Sequence, residues 1–157
     1  MNIIPQWDNL PAISWKNKVA LLTYETSKLK QTECPVTHIF EPGRYIREMR
    51  IPQGTLFFGR EHLLGHECQL NEGALTLVAP DGKFTFTGFA SIHSKPGFHS
   101  VFYTLTDCVC RTVHPNPSDS RDIDALEKTI FGSAQDLIEK GRLVSDSLKE
   151  LEKTCQA

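Results

Sequence analysis

Residues 59–73 run Gly59-Arg60-Glu61-His62-Leu63-Leu64-Gly65-His66-Glu67-Cys68-Gln69-Leu70-Asn71-Glu72-Gly73, and the reading of this stretch decides the fold. Glycine-marked turns bound two histidines, His62 and His66, placed four apart in a region that otherwise favours strand. In a small β-fold such side chains can point into one cavity. There, imidazoles hold a metal, move a proton or bind a polar ligand.

Outward from this segment, short alternating or apolar runs fill residues 36–113: VTHIF, RYIREMRI, TLFFGR, CQLNEG, ALTLVA, KFTFTGF and SVFYTLTDCVCRT. Turn signals separate them, among them Glu41-Pro42-Gly43, Pro52-Gln53-Gly54, Asn71-Glu72-Gly73 and Lys95-Pro96-Gly97. Roughly eight or nine strands at short spacing predict a closed or two-sheet all-β fold. Ala79-Pro80-Asp81-Gly82-Lys83 predicts a hairpin turn, and Pro115-Asn116-Pro117 should end the last strand.

The flanks read as helical. Residues 1–35 begin with a proline-punctuated arm, after which Ile13, Val19, Leu22 and Leu29 fall near one helical face with Ser14 as N-cap. From Asp119 onward Ile123, Leu126 and Ile130 share a face, and Ser133 to Asp136 resembles a capping box. Leu137, Val144, Leu148 and Leu151 then form a stripe interrupted by Gly141, of the kind that covers a sheet or a partner subunit. The expected organisation is an N-terminal arm and helix over 1–35, a β-domain over 36–117, and helices over 118–157 that are not an independent domain.

A chain of 157 residues with 39% hydrophobic and 23% charged residues is one ordinary globular domain in size and composition. Seventeen basic against 19 acidic residues, a net charge of −2, argue against a phosphate-backbone partner, so no nucleic acid is expected. No apolar run approaches a membrane span and the N-terminus lacks a signal-like pattern, so no membrane partner and a cytoplasmic location are expected. The five cysteines are an odd set without CxxC. They read as ordinary thiols, with no histidine spaced to make a nucleophile. Cys68 shares a strand face with His66, as filler or a soft extra ligand. Nucleotide-loop, HExxH and GxSxG motifs are absent.

The succession Tyr45-Ile46-Arg47-Glu48-Met49-Arg50-Ile51-Pro52-x-Gly54-Thr55, a Gly-x-x-His strand ending at His62, the Asn71-Glu72-Gly73 and Pro96-Gly97 turns and the Thr112-Val113-His114 ending resembles the cupin superfamily. More narrowly, it resembles small cupin-like proteins of bacteriophages and prophages. The resemblance covers about 39–117 and implies a single jelly-roll β-barrel, mainly β, with an N-terminal arm or helix and a C-terminal helical extension. A homodimer is its default assembly.

The resemblance also implies a site. Counted back from Gly73, the glutamate of the first metal motif falls on His66, its second histidine on His62 and its first on Arg60. Lys95-Pro96-Gly97-Phe98-His99 offers His99 for the second motif, one residue closer than the pattern has it. His62, His66 and His99 would then hold a divalent transition metal such as Zn, Fe, Mn or Ni. Arg60 cannot ligate a cation and suits a small anionic molecule. A metal site and a metal-free anion pocket therefore compete for the same cavity.

Other candidates surround it. Either the 45/47/49 or the 46/48/50 face of one strand looks inward, and the first would present Tyr45 and Arg47 to a ligand. Glu67 faces outward unless the Gly65 kink turns it in as an acid–base group. Tyr103 is a second acid–base candidate, and His114 caps a strand edge or touches ligand. The leading functional expectation is a small-molecule-binding cupin-like protein with a metal in its barrel, as a binder or as a metal-dependent enzyme on a small acidic substrate. The alternatives are a non-catalytic phage accessory protein that sequesters a small anion or binds a host protein, and a structural assembly module.

Overall fold

The computed structural model describes residues 13–155; the proline-punctuated arm lies outside them. In chain order come α1 (Trp15–Ser27), β1 (Val36–Glu41), β2 (Arg44–Ile51), β3 (Leu56–Phe58), β4 (His66–Glu72) and β5 (Ala74–Ala79). There follow β6 (Gly82–Thr87), β7 (Ala90–Ser94), β8 (Val101–Thr104), β9 (Cys108–Pro115), α2 (Ile123–Ile130) and α3 (Ala134–Cys155). The chain divides into a unit holding α1 and α3 and a unit spanning Gln31–Ser133.

In the helical unit, Ser14 caps α1 by accepting the Asn17 amide at 3.2 Å. The β-favouring stretch Thr23 to Thr26 is helical, and within it both threonine hydroxyls are satisfied by donating back, to the Val19 and Leu22 carbonyls at 2.7 Å each. Helix α3 packs on α1 at Gly141, where a Cβ would run into the Ala20 carbonyl and the Tyr24 side chain. Gly141 is thus the crossing point of the expected stripe: Gly141 and Ser145 are buried, with Leu137, Val144 and Leu148 half-buried beside them.

The strands of the other unit pair as one long hairpin folded over itself. β5 pairs with β6, β4 with β7, β3 with β8 and β2 with β9, all antiparallel. Alternate pairs go to alternate sheets, giving β1-β2-β9-β4-β7 facing β3-β8-β5-β6. This nesting is a jelly roll with β1 added at one edge. Two sheets result, not one barrel closed by hydrogen bonds.

Several turns lie where the sequence signals them. Ala79 pairs with Gly82, leaving Pro80-Asp81 as the hairpin loop, and β9 ends at Pro115. Gly73, between β4 and β5, has φ +98°, and a Cβ there would collide with the Asp107 carbonyl. Two features differ from the sequence reading. Residues 90–94 form an additional strand, and the run from Val101 to Val113 breaks into β8 and β9. The break is a corner in which the Leu105 and Thr106 amides both donate to the Ala74 carbonyl, at 2.8 and 3.3 Å.

Between the sheets, Ile51, Leu70, Leu75, Phe102 and Cys108 form one apolar core. A second cluster covers one end. Asp122 caps α2 by accepting the Ala125 amide at 3.1 Å, and Leu126, Ile130 and Phe131 pack there with Tyr45 and Phe40.

Candidate functional site

Cross-strand register builds the site in layers on the inner face of the larger sheet. Tyr45 pairs with His114 and His66 with Ser94, and the register that pairs Glu67 with Val113 brings His66 level with His114. The first layer is therefore Tyr45, His114, His66 and Ser94. The next is Arg47, Thr112, Cys68 and Ile92, and the third is Met49, Cys110, Leu70 and Ala90. The 45/47/49 face of β2 is the inward one.

The segment expected as a histidine strand, Gly59 to Gly65, is instead an irregular crossing from β3 in one sheet to β4 in the other. It is pinned at His62, whose amide donates to the Phe98 carbonyl at 3.0 Å and whose carbonyl accepts from Gly97 at 2.7 Å. The chain after α2 lies along its other side: Leu63 donates to the Ile130 carbonyl at 2.8 Å, and Gly132 to that of Glu61 at 2.9 Å. His62 is thereby held over the first layer.

Three imidazoles meet there. His62 stacks on His66 at 3.7 Å between ring centroids and 16° between planes, and His114 lies 5.5 Å from His62 and 5.3 Å from His66. Phe131 closes the group edge-on, 4.8 Å from His62. Burial pushes His62 and His114 down to about 3, helped for both by His66 and Arg47, and for His62 also by His114. Burial also lowers His66, against the opposing hydrogen bond to the Leu64 carbonyl. The cluster is neutral at physiological pH. Both ring nitrogens of His62 and Nδ1 of His114 find no hydrogen-bond partner among the described residues.

A cavity of about 230 Å³ lies beside this cluster, between the sheets. Phe57, Leu75, Leu77, Phe86 and Phe102 give it apolar walls, while Arg47, Arg60, His62 and Cys68 also line it. The guanidiniums of Arg47 and Arg60 each lie 4.8 Å from the Phe131 ring centroid. Both face Glu127 on α2, at 3.6 and 3.9 Å. Arg60 also donates to the Gly132 carbonyl at 3.2 and 3.3 Å, whereas Nε of Arg47 has no partner among the described residues.

Cys68 lies beside His66, on the strand face where alternation puts it. His66 Nδ1 lies 3.3 Å from the Leu64 carbonyl, and its Nε2 lies 3.0 Å from Cys68 Sγ. If Nδ1 carries the proton it donates to Leu64, and Nε2 is left to accept from the thiol. Ser94 Oγ is 3.5 Å from the same sulfur. Burial raises the Cys68 thiol, which is neutral at rest. The sequence places Cys68 on the face of His66 as filler or a soft extra ligand; in the structure the same i, i+2 alternation on β4 puts its thiol in hydrogen-bond reach of the imidazole.

Of the remaining candidates, Tyr45 and His114 belong to the first layer, and Glu67 and Tyr103 lie outside it. Tyr45, fully buried, has its hydroxyl 2.6 Å from His38 Nδ1 and makes no part of the cavity wall. His114 has Nε2 2.9 Å from Thr112 Oγ1 and is a cluster member, not an edge cap. Glu67 stays outward: regular alternation holds on β4 despite Gly65, and its carboxylate accepts from Ser91 at 2.6 Å and Gln69 at 3.0 Å. Tyr103 follows the inward Phe102 on β8 and so faces away from the cavity, near the Gly54 turn.

His99 is buried, 3.5 Å from the Gly59 carbonyl through Nδ1, and outside the cavity lining. Among the described residues no three His, Cys, Asp or Glu side chains are grouped to hold a metal ion. The reason is in the ring planes. Imidazole lone pairs lie in the ring plane, so rings stacked face to face run them side by side instead of converging. As placed, His62, His66 and His99 do not fit the ligand set that the resemblance implies. Sequence reasoning also passes over Glu127 and Phe131, which an amphipathic α2 shows only as one more helix.

No protein-family model matches the chain, and no curated protein matches it. Among solved structures, an HTH_3-family transcriptional regulator from Vibrio cholerae aligns over 54% of this chain and 51% of its own, at 12% identity and a TM-score of 0.45. The chain thus spans about half the length of that relative. A cupin domain from Bordetella pertussis aligns over 56% of this chain and 98% of its own, at 22% identity and a TM-score of 0.43. An RmlC-like cupin family protein with a double-stranded β-helix fold, from Methanocaldococcus jannaschii, aligns over 57% and 89%, at 10% identity and a TM-score of 0.44. These are likenesses of fold alone. The nested strand order makes the β-unit a jelly roll, and solved structures similar to it include cupin domains.

Proposed function

We propose that this jelly roll binds a small, largely apolar carboxylic acid between its sheets, with the acid group held by Arg47 and Arg60. One observation carries the reading. Two guanidiniums at the end of an apolar cavity share a single carboxylate, Glu127, at 3.6 and 3.9 Å, and a buried Nε of Arg47 has no partner among the described residues. Hydrogen-bonded ion pairs close to about 2.8 Å, so the cations hold donor capacity that Glu127 does not use. For Arg47, half-buried with a shielded Nε, leaving that capacity unused is costly, and an added carboxylate supplies what is missing. The apolar walls and small volume favour a short-chain or single-ring acid over a sugar or nucleotide.

Calorimetry with butyrate, hexanoate and phenylacetate, against hexanol as the neutral control, tests it. The acids bind, hexanol does not, and Arg47→Met weakens binding about tenfold or more. Equal binding of acid and alcohol, or an unchanged affinity in Arg47→Met, would refute it. Elemental analysis of untagged protein tests the metal reading beside it. About one transition metal per chain, lost on changing His62 and His66 to alanine, would replace this proposal with that one.

A further inference from the structure

We propose that Cys68 is a nucleophile activated by His66, and that the cavity takes esters or thioesters of the small acids described above and hydrolyses them through an acyl-Cys68 intermediate. The inference rests on the acid-binding reading, because the bound acid is then the product.

Three parts of an acyl-transfer site stand together. The thiol lines the cavity. Its base is within reach, with His66 Nε2 at 3.0 Å from Sγ, and the base is oriented in turn by the Leu64 carbonyl at 3.3 Å from Nδ1. Nucleophile, base and orienting group in that order are the general signature of an activated nucleophile. The third part is an electrophilic end. Arg47 and Cys68 flank Thr112 in one cross-strand layer, two strand spacings or roughly 10 Å apart at the backbone. Both residues line the one cavity, so a substrate acyl group attacked by Cys68 shares that cavity with the guanidinium, whose charge favours the developing oxyanion.

His62 is an independent sign that something binds here. It is 4% exposed, lines the same cavity, and has neither ring nitrogen paired among the described residues. A neutral imidazole carries one donor and one acceptor, and its N–H offers a second hydrogen bond to the carbonyl oxygen as charge develops there. Stacked at 3.7 Å on His66, it also fixes the plane of the base.

The steps balance without an added oxidant or reductant. Cys68 sulfur bonds to the acyl carbon while its proton passes to His66 Nε2. The tetrahedral adduct expels the alcohol or thiol, which leaves with that proton. Water, giving a proton to His66, then attacks the thioester carbon. The acid departs, and the proton returns to Cys68 sulfur.

The test uses the full chain with exposed Cys155 changed to serine, which removes background labelling. The probe is p-nitrophenyl butyrate, followed by nitrophenolate release and by peptide mass after acid quench. The expected result is a burst of about one nitrophenolate per chain, butyryl on the Cys68 peptide, no burst in Cys68→Ser, and a burst about a hundredfold slower in His66→Gln. Butyryl only on other residues, or acylation of Cys68 no faster than that of free N-acetylcysteine, overturns the proposal. The second criterion holds even if His66→Gln does not fold. Calorimetry of free butyrate with Cys68→Ser separates the two readings: binding without acylation ends this inference alone, and absence of both ends the acid-binding reading too.

Discussion

Glu127 is the residue on which the mouth of the cavity turns. It is the carboxylate that faces both Arg47 and Arg60, and it comes from α2, outside the sheets. Changing Glu127 to glutamine keeps the shape and removes the charge, leaving the two guanidiniums beside Phe131 without that anion. Because these side chains are partly exposed, the cost is about 1–2 kcal/mol, well below that of a fully buried pair. Acid affinity moves the other way, rising several-fold as the arginines are released. Urea denaturation and butyrate calorimetry on Glu127→Gln check both signs; lower stability with unchanged affinity would place Glu127 outside the site. At this scale the sequence leaves open which face of β2 looks inward. The place of His62 follows from contacts with Phe98, Gly97 and the chain after α2 and not from alternation. Only the candidacy of His62 and His66, by spacing, is legible. That His114 joins them is not. Its place beside His66 depends on β4 pairing with β9, a contact between distant segments that neither one encodes alone.

Elements were legible where a turn residue has a conformational reason. Pro80-Asp81 and Gly73 mark their turns by fixed or positive φ, and Ser14 marks the start of α1 by its capping oxygen. The nested pairing that makes the jelly roll was carried only by the family resemblance, since alternation does not say which strand a strand meets. Gly141 shows the limit from the other side. In sequence it breaks an apolar stripe; in the fold it is where α3 comes close enough to α1 to touch the Ala20 backbone. Alanine there improves intrinsic helix propensity by about 1 kcal/mol, yet its methyl group has to displace backbone, which overpacks by about 1–3 kcal/mol. Gly141→Ala is therefore expected to loosen the α1–α3 pair despite the better helix former. Hydrogen exchange of α1 amides measures this, and protection equal to or above wild type would mean that the helices separate at little cost.

For the β-unit as a whole, the three-imidazole cluster sets the response to acid. His62 and His114 are held at about 3 in the fold against an ordinary 6.5, through burial first and then through His66 and Arg47, with His114 adding to the effect on His62. Tyr45, Glu127 and Arg60 are further ionisable groups packed around the cluster and Phe131. Folded values below unfolded ones mean that the unfolded chain binds more protons. Stability is then full above the unfolded value and falls as pH drops toward 3. By pH 5 each histidine costs about 2 kcal/mol, whatever the folded value so long as it stays well under 5. Together that is about 4 kcal/mol, against a total of roughly 5–15 kcal/mol for a domain. Urea unfolding followed from pH 7.5 to 5 should show this loss, and changing His62 and His114 together to glutamine should remove most of the slope. If the doubly changed chain loses stability as steeply as the wild type, the acid response originates elsewhere. The same neutral state is what lets the cluster serve chemistry. A dry, unprotonated imidazole beside a cavity accepts a proton from Cys68 or donates one hydrogen bond to a ligand, and acid that charges it removes both capacities while unfolding the sheets around it.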